Sequence, residues 1–96
     1  MSPLRFEVEV SGLRKPEFIA AIARAVAAPS GFGGNWDALA DVLQDMSWQP
    51  IQSYVLVLRG ELALGEEDMA IAREILDATA DYWRTQGKSF QVMFER

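Results

Sequence analysis

GFGGNWDALADVLQDMSW, residues 31–48, carries two patterns at once. Asp37, Asp41 and Asp45 recur at every fourth position, and Trp36, Leu39, Leu43 and Met46 recur at three- and four-residue steps. At about 3.6 residues per turn these are opposite stripes of one helix, one acidic and one apolar. Asn35 is a good N-cap, so the spacing predicts a helix over about 36–46 with Asp37 in its first turn, where the helix dipole favours an acid. Trp36 lies on the apolar stripe and is assigned to the core. Gly31, Gly33 and Gly34 supply turn geometry before the helix. No Lys or Arg occurs from Ala25 to Leu58, so nothing local neutralises the aspartates. An anionic helix face beside a glycine turn suits a basic partner.

Working outward, Leu4, Phe6, Val8 and Val10 alternate with Arg5, Glu7 and Glu9, which predicts a strand with one wet face at a sheet edge. Ser11-Gly12 turns the chain. Pro16 and Glu17 suit a helix start, and Phe18, Ile19, Ile22 and Val26 mark its apolar face to about Ala27, with Pro29 as the stop. After the second helix, Trp48 is expected to close the core, and the stretch 47–53 with Pro50 is a connection. Tyr54-Val55-Leu56-Val57-Leu58 is a short continuous apolar run, the pattern of a buried central strand. Glu66, Glu67 and Asp68 open a long helix acidically, and Gly87 ends it. Its buried face is set by Ala72, Ile75, Leu76, Thr79, Tyr82 and Trp83. Phe90, Val92 and Phe94 alternate with polar neighbours in a last strand, with Met93 among the outward positions. The order β-α-α-β-α-β implies parallel pairing through helical crossovers. The expected fold is α/β, a three-stranded parallel sheet packed with three to four helices, in one domain over 1–96.

Composition limits the function. Nine basic and fourteen acidic residues give a net charge of −5, the wrong sign for gripping nucleic-acid phosphates. There is no Cys and no His, which argues against disulfides, thiolate chemistry, zinc sites and His-assisted nucleophiles. MSPLRFEVEV lacks the apolar stretch of a signal peptide, and no apolar run approaches the ~20 residues that span a bilayer. These features together predict a cytoplasmic protein without a cofactor.

Phe32-Gly33-x-Asn35-Trp36-Asp37-Ala38-Leu39-x-Asp41-x-Leu43 resembles the aromatic-Gly-x-Asn-x-Asp-Ala-Leu segment of the barstar family of ribonuclease inhibitors. Tyr54-x-Leu56-Val57-Leu58 resembles that family's central strand, and the element order agrees along essentially the whole chain. The resemblance implies an antitoxin- or immunity-like bacterial protein whose glycine loop and following helix plug the active site of a small basic secreted ribonuclease. By position, Asp41 matches the principal acid that enters the nuclease, Asp37 a neighbouring contact acid, and Gly33 and Asn35 interface loop positions. Gly31, Phe32, Gly34 and Gln44 complete the expected partner-binding set. Phe32 either tucks into the core or stands proud as an anchor. The chain departs from the family at Gly31 and Phe32, where the family has tyrosines, at Ala40, where the family has tryptophan, at Val55, where the family has proline, and at Tyr82, where the family has an acid and Asp81 stands one residue away.

The expected function is therefore a protein inhibitor whose Asp37 and Asp41 stand in for RNA phosphates, and not an enzyme. A barstar-like binding module with another basic partner, a toxin or a different protein, is the alternative. A Mg²⁺-dependent carboxylate enzyme using Asp37, Asp41 and Asp45 ranks lower, because a catalytic acid needs a pocket and a tuned pKa.

Overall fold

Each strand contributes alternate residues to a shared apolar face, and that face organises the molecule. The computed structural model describes residues 3–29, 33–46 and 53–95. Elements follow the order β1 (Leu4–Glu9), α1 (Lys15–Ala25), α2 (Trp36–Asp45), β2 (Ser53–Arg59), α3 (Glu66–Thr85) and β3 (Ser89–Glu95). The sheet order is β1-β2-β3, with both pairs parallel. Leu56 lies opposite Phe6 on one side and Val92 on the other. β2 is thus the central strand and β1 an edge, as the apolar run and the alternation predict.

Crossovers that step in one direction along a sheet put their helices on the same face when both are right-handed. The core is built accordingly. Val8, Val10, Tyr54, Leu56, Leu58 and Phe90 from the strands meet Phe18, Ile19, Ile22, Leu39, Leu43, Leu76 and Trp83 from the helices. The opposite face is polar at its borders. Arg59 reaches Glu7 at 2.7 Å and Glu95 at 3.3 Å, and Arg5 reaches Glu7 at 3.0 Å and Glu95 at 3.5 Å. These pairs are exposed and individually weak, but they link all three strands. Val57, between them on β2, is fully buried.

Two expectations are corrected at the ends of elements. α1 closes at Ala25, not Ala27, because Ala27 takes a left-handed conformation with φ of 57°. The Ala27 and Ala28 amides then donate back to the Arg24 and Ala23 carbonyls at 3.1 and 2.9 Å, the pattern of a left-handed helix end. Leu4 and Phe94, placed on the core face by alternation, are 40% and 45% exposed. Alternation sets the side of the sheet but not how far the helices cover it. Phe94 instead sits under the Arg73 guanidinium, 5.2 Å from its ring centroid, a cation–π contact.

At the carboxyl end of β2, Gly60 has φ of 108° and its amide donates to the Glu95 carbonyl at 2.7 Å. A Cβ there would collide with Ser11 Oγ and Glu9. Trp48 and Pro50 lie outside the described residues.

Candidate partner-binding surface

α2 is held at both ends by its apolar stripe. At its start, Asn35 is extended, with φ of −120° and ψ of 176°, and its Oδ1 accepts from the Ala38 amide at 2.7 Å. One free amide of the first turn is thereby satisfied. Gly34 precedes it with φ of 74°, a conformation cheap only for glycine. Trp36 is 8% exposed. Its ring packs edge-on against Phe18 of α1, 6.1 Å between centroids, and its indole N–H donates to Asp68 of α3 at 3.3 Å. Trp36 therefore ties the start of α2 to both neighbouring helices, in keeping with its assignment to the core.

At the other end, Met46 ends the helix in a left-handed conformation and is buried. The Leu43 carbonyl belongs to the last turn, whose carbonyls lack the usual helical partners. It accepts from Tyr54 Oη at 3.2 Å and from Trp83 Nε1 at 2.8 Å. Burial raises the Tyr54 pKa well above its ordinary value, so the phenol stays a neutral donor. Strand β2 and helix α3 thus both grip α2 through one oxygen.

With the apolar stripe fixed inward, Asp37, Asp41 and Asp45 are all exposed. None of the three has a hydrogen bond or ion pair among the described residues. Nine acids and two bases lie on α2 and α3, a balance of −7, which leaves the rest of the chain at +2. The negative charge is therefore concentrated on the side formed by these two helices. No group of three or more His, Cys, Asp or Glu among the described residues is placed to hold a metal ion.

The structure puts Asn35, Asp37, Asp41 and Gln44 on one helix, with Gly33 and Gly34 leading into it. A Cβ on Gly33 would stand 3.4 Å from Ala38 Cβ, so the loop lies close against the helix start. Gly31 and Phe32 lie outside the described residues, and so does the choice between core and anchor for Phe32. Asp81 forms an exposed ion pair with Arg84 at 3.0 Å, and Tyr82 beside it, expected on the buried face of α3, is instead 39% exposed.

Sequence reasoning missed the contribution of α3. A shallow cavity of about 260 Å³ lies between the helices, lined by Trp36, Asp37, Ala40 and Gln44 from α2 and by Ile71, Glu74, Ile75 and Ala78 from α3. Asp37 thus borders a groove between the two helices. The available signal was Ile71, Ile75 and Ala78 at helical spacing, a flank of α3 that its most deeply buried residues do not use.

A family model described as Barstar (barnase inhibitor) matches residues 6–95. No curated protein and no solved structure gives a significant match. Among the described residues, no helix is long and apolar enough to cross a membrane.

Proposed function

The chain belongs to the barstar family of barnase inhibitors, and from that premise we propose that it binds a small basic ribonuclease and blocks its active site through α2. The family is one of inhibitors rather than catalysts. The observation that carries the reading is the state of Asp37 and Asp41. Both stand exposed, without a hydrogen bond or ion pair among the described residues, on a helix whose other side is locked into the core.

In this mechanism Asp41 and Asp37 occupy positions that RNA phosphates would take in the nuclease. The nuclease's cations gain charge-assisted hydrogen bonds as they lose water. The rigid setting of α2 matters because an acid that is already in place loses little freedom on binding. Gly33 and Gly34 bring backbone groups close to the partner, and Gln44 adds a neutral polar contact one turn beyond Asp41. Gly31 and Phe32 extend the contact on the loop side. The same reading makes the protein an intracellular safeguard against a nuclease made for export.

The test is inhibition of barnase-catalysed RNA cleavage by the chain and by Asp41→Ala. The variant should weaken inhibition by at least about a hundredfold, the scale of an interfacial charge whose removal costs over 2 kcal/mol. Equal inhibition by both proteins would remove Asp41 from the mechanism. A basic partner other than barnase is the second reading, and the exposed Tyr82 on α3 favours it. That residue stands where the resemblance expects an acid, so α3 offers an aromatic side chain there in place of a charge. Inhibition of another basic nuclease but not of barnase would select this reading.

A further inference from the structure

The two ends of α2 are held differently. At its last turn, Tyr54 and Trp83 both donate to the Leu43 carbonyl from inside the core. At its first turn, the Trp36 indole N–H donates to Asp68 Oδ1 at 3.3 Å. Among the described residues this is the one side-chain hydrogen bond that joins the first turn to another element. Asp68 is half-buried in the first turn of α3, where the helix dipole favours an acid whether or not it has a partner.

Ring packing alone does not fix a helix about its axis. Apolar burial is non-directional, so the contact of Trp36 with Phe18 keeps the helix start inside but lets it roll. A hydrogen bond has a preferred direction. Trp36 and Asp37 are consecutive on one helical backbone. A roll at Trp36 is therefore carried to Asp37, and on toward Asp41 about one turn later. An acid set in place before binding loses less freedom than one that the partner must order.

We propose that Asp68 is a positioning residue for the inhibitory surface: through the Trp36 indole it fixes the roll of the α2 start and with it the place of Asp37. The proposal rests on the reading that α2 carries the partner contact. It gives Asp68 a part in binding that needs no contact between Asp68 and the partner.

Asp68→Ala and Asp68→Asn test it together. Both remove the same charge, but asparagine keeps an oxygen that can accept the indole N–H. In the free protein, Asp68→Ala should move the Trp36 Nε1–H resonance. It should also speed hydrogen exchange about fivefold at the Ala38 and Leu39 amides, which bond to Asn35. The Met46 amide at the far end, bonded to the Val42 carbonyl, should exchange as before. Asp68→Asn should stay within about twofold of the natural chain at all three amides.

Against barnase, Asp68→Ala should raise the dissociation rate about fivefold and Asp68→Asn less than about twofold, with association slowed equally in both by the lost charge. Trp36→Phe lacks the donor, so the double variant Trp36→Phe/Asp68→Ala should dissociate no faster than Trp36→Phe alone. Equal dissociation rates for the two Asp68 variants, or faster exchange without faster dissociation, would overturn the proposal. Where the natural chain leaves barnase active, the inhibitor reading falls and hydrogen exchange decides the tie by itself. Equal exchange in the two Asp68 variants then rejects it, and faster exchange in Asp68→Ala alone upholds it.

Discussion

Tyr54 and Trp83, from the central strand and the last helix, donate to the same carbonyl oxygen, that of Leu43, at 3.2 and 2.8 Å. Their rings also meet edge-on, 5.3 Å apart. Either donor alone keeps the oxygen bonded, whereas loss of both strands a buried acceptor. Tyr54→Phe should therefore cost about 1 kcal/mol. The double variant Tyr54→Phe/Trp83→Phe should cost more than the sum of the single changes, by at least about 0.5 kcal/mol. Urea unfolding of the four proteins measures the coupling, and strict additivity would show that the shared acceptor has no energetic role.

Alkaline pH should act through the same phenol. Burial holds the Tyr54 hydroxyl above its ordinary pKa of 10, so the unfolded chain releases this proton before the folded one does. The contribution is fully present below pH ~10 and is lost as pH rises toward the folded value, by up to about 1.4 kcal/mol per pH unit. Unfolding free energies of the natural chain and Tyr54→Phe should therefore converge above that point. Parallel curves would refute the assignment.

Asn35 should matter for stability apart from any contact with a partner, because its Oδ1 caps α2. Asn35→Ala is expected to cost about 1 kcal/mol, and Asn35→Asp, which keeps the acceptor, less than about 0.5 kcal/mol. Thermal unfolding of the two variants in the absence of nuclease checks this difference.

Ala27 points to a stabilising change. It is exposed and left-handed, with φ of 57°, a conformation that costs an L-residue with a side chain about 1 kcal/mol. Ala27→Gly should raise stability by roughly 0.5–1 kcal/mol after the added freedom of the unfolded chain is counted. A drop in the denaturation midpoint would show that the helix end tolerates alanine without strain.

Association with a basic nuclease should depend steeply on salt. With −7 gathered on α2 and α3, raising ionic strength from about 0.02 to about 0.5 M should slow association at least about tenfold and change dissociation much less. Stopped-flow rates at several salt concentrations would decide, since a flat association rate excludes long-range attraction.

The parts of this fold legible in the sequence are those where one local pattern has one solution. Tyr54 to Leu58 is too short and too apolar to be anything but a covered strand, and the opposed stripes from Trp36 to Asp45 leave α2 a single orientation. The end of α1 is not legible, because alanine in a left-handed cap runs against its own propensity and is imposed by the turn that follows. The exposure of Phe94 is equally hidden, since alternation cannot report where the helical layer stops. For the candidate surface, Asn35, Asp37 and Asp41 stand out from spacing, charge and the resemblance. Glu74 does not, because its nearness to Asp37 arises only when α3 packs beside α2. The bond from Trp36 to Asp68 depends on the same packing, so reading the acidic start of α3 as dipole matching accounts for only part of Asp68.

The four-residue ion-pair lattice on the far side of the sheet has an electrical consequence. Arg5 and Arg59 balance Glu7 and Glu95 within it, so that patch sums to zero while α2 and α3 hold a large excess of one sign. The charge is thus unevenly spread, balanced at this patch of the sheet and negative on α2 and α3. In the field of a cationic body the molecule experiences a torque as well as a pull, and it turns its helical side forward before any atoms touch.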